Sequence, residues 1–120
     1  MFIQDALNNR NPIIFGDGTE TRDPVYISDV TGILSRLIDH PLASEVYFVG
    51  TGSAVSLNEI IRMIGEVTGK AITPENKGKP VAYLNSSVYK SSFAKTILGR
   101  DFIDLKTGIY QTHLALLNKS

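Results

Sequence analysis

The stretch Gly16-Asp17-Gly18-Thr19-Glu20-Thr21-Arg22-Asp23 gathers the residue types that could handle an anionic ligand. Glycines let a backbone approach a ligand closely, and the Arg22 guanidinium is a planar, permanently charged fork matched to phosphate. The competing reading is an ordinary surface ion pair between Arg22 and its neighbour Asp23. The residue types alone leave both open.

Other spacings approach chemistry and fall short. Only three residues separate Gly65 from Gly69-Lys70 where a phosphate-binding P-loop has four, and Ala71 stands where the magnesium-binding hydroxyl belongs. A helix end accounts for Gly69 without a ligand. Gly16-x-Gly18 and Gly50-x-Gly52 lack the third glycine of a dinucleotide fingerprint, with Thr21 or Arg22 and Val55 in its place, and read as strand-end turns. No Tyr-x-x-x-Lys pair occurs, because Val30, Thr51, Ser87, Phe93 and Leu114 lie four places after the five tyrosines. His40 and His113 each stand without a second His at i+4, and cysteine is absent. Histidine and thiolate metal sites, disulfides and thiol nucleophiles therefore find no residues. The chain carries no complete catalytic constellation, and neither a catalytic nor a metal-ligating residue is assigned.

Alternating helix and strand patterns must position the Gly16–Asp23 stretch. Phe2, Ile3, Ala6 and Leu7 predict a helix over residues 2–10, closed by Pro12. Ile13, Ile14 and Phe15 predict a strand running into the Gly16–Gly18 turn, and residues 25–27 a second short one. Val30, Ile33, Leu34, Leu37 and Ile38 predict a helix over 28–40 with Ser28 or Asp29 as N-cap. The continuous run Val46-Tyr47-Phe48-Val49 predicts a strand buried on both faces, as in a parallel sheet covered by helices. Ser56 and Glu59 form a capping box opening an amphipathic helix that Gly69 ends. Residues 71–88 are irregular with a strand near 81–84, and helices follow at 91–98 and 104–118. The fold class is α/β.

The chain has 120 residues, 42% apolar, with twelve basic and twelve acidic side chains. That length fits one domain, with a folded surface of roughly 6,000–6,500 Å² against about 19,000 Å² extended. Zero net charge without a Lys/Arg run argues against a nucleic-acid partner. No apolar stretch approaches the ~18 residues needed to span a bilayer, and Met1-Phe2-Ile3 does not open a signal peptide. The expectation is a soluble, cytoplasmic unit with no membrane partner.

Residues 11–30, NPIIFGDGTETRDPVYISDV, resemble the strand-turn-Arg-Asp-strand-helix segment of NAD-dependent nucleotide-sugar epimerases and dehydratases, the extended short-chain dehydrogenase/reductase family. The likeness continues through Val46–Gly52, Ser56-Leu57-x-Glu59-Ile60, Leu98-Gly99 and Leu105-x-x-Gly108-Ile109. It implies the C-terminal, substrate-binding portion of a UDP-glucose 4-epimerase-like enzyme, together with the last strand and helix of its Rossmann domain, as one unit over residues 1–120. By that resemblance, Ile13, Ile14 and Phe15 lie along a uracil or thymine, Arg22 binds the pyrophosphate, and Tyr26 lines the active-site wall. Asp23 and Asp29 are structural.

The family's Gly-rich fingerprint and catalytic Tyr-Lys pair would lie before Met1, so NAD is expected for the parent enzyme and none for this chain. The ligand is a UDP- or dTDP-sugar, and uncovered apolar faces imply self-association. Pro24 replaces the family's aromatic. Asn76-Lys77-Gly78-Lys79 stands where many members carry a second phosphate-binding arginine, which leaves Lys77 or Lys79 as a substitute charge. Phe93 replaces a lysine and Arg100 a tryptophan. The alternative is a stand-alone, non-catalytic binding or assembly module derived from the same family.

Overall fold

Helix boundaries fall where short polar side chains take the orphan amides of a first turn. In the computed structural model, which describes residues 1–39, 46–78 and 91–118, the order is α1 (Phe2–Leu7), β1 (Ile13–Phe15), β2 (Thr21–Arg22), α2 (Ile27–Asp39), β3 (Val55–Ser56), α3 (Leu57–Thr68), β4 (Glu75–Lys77), α4 (Ser92–Leu98) and α5 (Leu105–Leu117). Ser56 Oγ accepts from Glu59 N at 3.2 Å to open α3, and Gly69, at φ 66°, closes it in the left-handed conformation. Ser91 opens α4 by accepting from Ala94 N at 3.0 Å. Asp104 opens α5, accepting from Thr107 N at 3.0 Å and Thr107 Oγ1 at 2.6 Å. These hydrogen bonds hold the Asp104 carboxyl below its ordinary pKa.

Two apolar clusters result. Ile3 and Ala6 of α1, Ile64 of α3 and Ile109 of α5 form the first. The second joins Ile33 of α2 to Ala94 and Leu98 of α4, flanked by Val49, Phe93 and Phe102. The Tyr47 ring stacks on Phe93 with centroids 4.3 Å apart. β1 pairs in parallel with β4, Ile14 opposite Asn76, and β2 pairs antiparallel with β3, Arg22 opposite Val55.

The buried carboxylate of Asp29 links α2 to the approach to α5. Its Oδ2 accepts from Ile103 N at 2.8 Å, and Arg100 Nη2 lies 2.6 Å from Oδ1 in an ion pair. The Tyr26 ring makes a second link, lying so close to Gly108 of α5 that a Cβ there would be 3.2 Å from the ring.

Several sequence expectations need correction. The extended residues are Thr21–Arg22 rather than 25–27, and α2 begins at Ile27. Val25 and Tyr26 instead face Ile109 and Thr112 across a small cavity, and Asp29 N already bonds back to Tyr26 O at 3.0 Å. Neither Ser28 nor Asp29 precedes α2 as a cap, since both lie inside it. The first helix stops at Leu7, because Asn9 turns the chain at φ 52°.

Val46–Val49 is not buried on both faces: Val46 is 83% and Phe48 59% exposed, while Tyr47 and Val49 pack inward. The segment is not a strand among the described residues, and Val49 packs with Ile33 of α2 and with Ala94 and Leu98 of α4. The accessible surface of 7889 Å² exceeds the roughly 6,000–6,500 Å² of a close-packed chain this long. The strand expected near 81–84 and His40 lie outside the described residues, whereas Glu75–Lys77, fully exposed and unpatterned, forms β4.

Removing Arg100 should leave the Asp29 carboxylate buried with one fewer partner. Arg100→Ala should lose about 1–3 kcal/mol in urea unfolding, and less than half of that in an Asp29→Asn background. A loss below about 0.5 kcal/mol would give this pair no more weight than an exposed one.

Candidate functional site

Strand alternation divides the first three candidate residues. Ile14 is 2% exposed and belongs to the interior, whereas Ile13 and Phe15, at 45% and 51%, share the opposite, open face of β1. The side-chain shelf expected from all three therefore reduces to Ile13 and Phe15.

The loop that follows is fixed by its own hydrogen bonds. Asp17 Oδ1 accepts from Thr19 N at 3.0 Å and Thr19 Oγ1 at 2.6 Å, which holds the Asp17 carboxyl below its ordinary pKa. Asn58, at the start of α3, donates its side-chain amide to Asp17 O at 2.9 Å and its backbone amide to Gly18 O at 3.1 Å. Leu57 N reaches Glu20 O at 3.0 Å. From β4, Asn76 Nδ2 reaches Gly16 O at 2.8 Å. Gly18 has φ 78°, and a Cβ there would sit 2.2 Å from Asn58 Oδ1. This glycine makes room for a protein side chain, where the sequence pointed to room for a ligand.

Arg22 leaves β2 half-buried, its Nη1 donating to Thr21 O at 2.7 Å. The Asp23 carboxylate is engaged elsewhere. It accepts from Thr51 Oγ1, from Thr51 N at 3.2 Å and from Gly52 N at 3.0 Å. The backbone amides of the Gly50-x-Gly52 turn are thus occupied by an internal anion, and this turn does not fit a dinucleotide phosphate. Asp23 therefore serves structure.

Tyr26 stands apart from the β1 face. It lines a cavity of about 160 Å³ with Ile3, Val25, Leu105, Ile109 and Thr112. Lys79 lies outside the described residues. Its neighbour Lys77 pairs with Glu75 at 3.9 Å. Asn58, Thr51 and Asn76 were not singled out as site supports from the sequence, since each reads locally as a surface polar residue. Among the described residues there is no group of three His, Cys, Asp or Glu side chains that could hold a metal, and no helix is long and apolar enough to cross a membrane.

The architecture, five helices with short parallel and antiparallel strand pairs, is that of a segment of a short-chain dehydrogenase/reductase epimerase. The chain superposes on the UDP-glucose 4-epimerase of Thermotoga maritima, solved with UDP-glucose, with a TM-score of 0.87 and 27% identity, covering 98% of this chain and 38% of that one. It is 35% identical over 112 residues to a Methanocaldococcus jannaschii protein assigned as a UDP-glucose 4-epimerase, covering 91% of this chain. It is 31% identical over 121 residues to the UDP-glucose 4-epimerase of Mycolicibacterium smegmatis, covering 100% of this chain. No family model matches the sequence. The chain belongs to the family of NAD-dependent nucleotide-sugar epimerases and dehydratases. It spans 35% and 39% of the length of those two relatives.

The fit of Asn58 over Gly18 gives a direct test. Gly18→Ala should destabilise the chain by about 2–4 kcal/mol, from left-handed strain plus the clash. In an Asn58→Ala background the same substitution should cost only the backbone part, about 1–2 kcal/mol. Equal costs in urea unfolding would show that Asn58 does not occupy the space over Gly18.

Proposed function

We propose that this chain is the nucleotide-sugar-binding, C-terminal portion of an NAD-dependent epimerase or dehydratase acting on UDP- or dTDP-sugars in the cytoplasm. The observation that carries the reading is the connection of an open apolar pair, Ile13 and Phe15, to a half-buried arginine through a loop held by Asn58 and Asn76. The likeness to the Thermotoga protein solved with UDP-glucose supports the same reading.

Ile13 and Phe15 would lie along the base, and the Arg22 guanidinium would take the pyrophosphate with charge-assisted hydrogen bonds. Tyr26 would line the sugar side, with Lys79 as a second positive charge. Held at both ends, the sugar would be oriented for oxidation and re-reduction through a 4-keto intermediate. NAD, held by the remainder of the parent enzyme, would supply the hydride acceptor and donor. The catalytic Tyr-Lys pair belongs to that remainder too.

The same arrangement predicts an outward-facing apolar stripe that the remainder would cover. Ile27, Leu34 and Ile38 of α2, with Val46 and Phe48, are exposed. In the isolated chain this stripe should drive self-association, a two-fold pair being the simplest closed form.

One observation favours the second reading, a stand-alone, non-catalytic binding or assembly module. Asn76 is engaged with Gly16 and Lys77 with Glu75, so the end of β4 offers no arginine for a second phosphate contact. The coding sequence upstream of Met1 separates the two, because an in-frame cofactor-binding half supports the first.

Saturation-transfer NMR with UDP and UDP-glucose tests the site itself. Binding should be weak, about millimolar, with base contacts stronger than sugar contacts. Arg22→Ala should weaken it by about tenfold or more. Equal signals from both proteins, or dominant sugar contacts, would remove the assignment. Sedimentation of the isolated chain should show association in the micromolar range, and a clean monomer throughout that range counts against an uncovered stripe.

A further inference from the structure

We propose that Asp23 is a positioning residue for Arg22. By clamping the Thr51–Gly52 turn, its carboxylate fixes the direction in which the guanidinium leaves β2. The proposal rests on the reading of Arg22 as the pyrophosphate-binding cation.

β2 is too short to do this alone. Its pairing with β3 consists of Thr21 opposite Ser56 and Arg22 opposite Val55. The ladder has no donor at the next position but one, because Pro24 has no N–H. Proline also confines the residue before it to extended backbone, which places Asp23 in line with β2 without giving the strand a further hydrogen bond. Rotation of the chain after Arg22 is therefore restrained by a side chain instead of a strand partner.

The Asp23 carboxylate meets that need. Its Oδ1 takes Thr51 N at 3.2 Å and Thr51 Oγ1, and its Oδ2 takes Gly52 N at 3.0 Å. Gly52 supplies the left-handed corner, at φ 80°, that brings both amides onto one carboxylate. Consecutive residues of an extended segment project to opposite sides. Drawing Asp23 onto the 51–52 turn therefore directs Arg22 away from it, and the Thr21 carbonyl holds Nη1 at 2.7 Å. The acid beside the arginine acts on its direction.

The test uses the full chain, with UDP as probe and the Arg22 Nε–Hε NMR signal as a second readout. Asp23→Asn keeps the shape but turns the carboxylate into a poorer acceptor for three donors. It should weaken UDP binding about tenfold in the wild-type background and less than about twofold in Arg22→Ala. In ligand-free protein it should also lower the {1H}–15N NOE of the Arg22 Nε–Hε signal. Thr51→Val removes one donor and should give a smaller loss of the same kind. It decides the matter if Asp23→Asn fails to fold. Thr51→Ser keeps that donor and should restore both readouts. Equal losses of UDP binding in the two backgrounds would make Asp23 merely structural and overturn the proposal. So would an unchanged Arg22 signal in a folded variant. If wild type binds no UDP, the reading of Arg22 fails, while the Arg22 signal still decides whether Asp23 positions it.

Discussion

The buried carboxylate of Asp29 is the joint on which the two halves of this structure depend. α2 and α4 make one apolar cluster, while α1, α3 and α5 make the other. Asp29 sits in the first turn of α2 with no exposed surface, and it grips the backbone at Ile103 and the side chain at Arg100. Those residues join α4 to α5, so one carboxylate ties the first cluster to the second. A buried charge is tolerated only where it is compensated, and here a backbone amide takes Oδ2 while the Arg100 guanidinium lies against Oδ1 as an ion pair without a hydrogen bond. Arg100 thus compensates the charge on Asp29.

Carboxylates recur in the same role across the molecule. Asp17 closes the Gly16–Gly18 turn, Asp23 fills the 51–52 turn, and Asp104 caps α5. Each occupies backbone amides that would otherwise be open to an external anion. The consequence bears on function. The Gly50-x-Gly52 turn, which looks like part of a phosphate cradle when read as letters, already holds the anion it can hold.

Apolar surface is distributed unevenly around these joints. α2 buries Ile33 against α4 and presents Ile27, Leu34 and Ile38 outward, beside Val46 and Phe48. A helix that is apolar on two sides, next to a segment that is apolar at every residue, belongs to a layered structure with cover above and below. The chain spans 35% and 39% of the length of the two curated relatives.

The sequence by itself determined part of the local structure. The caps at Ser56 and Asp104, the terminal Gly69 and Gly99, and the amphipathic α3 are short-range chemistry, in which donor, acceptor and hydrophobic period lie within a few residues. The motif around Arg22 was legible for the same reason, and with it the family. What only the tertiary structure decided depends on partners far along the chain. Ile14 is interior while Ile13 and Phe15, on the opposite face of β1, are open. Gly18 is glycine because of Asn58, forty positions away. Among the described residues, Tyr47 and Val49 pack toward α2 and α4 while Val46 and Phe48 are exposed. A pattern of residue types records that a surface is to be buried or a charge to be met. Which atoms meet it is settled by packing, where each close contact excludes every alternative for the same space.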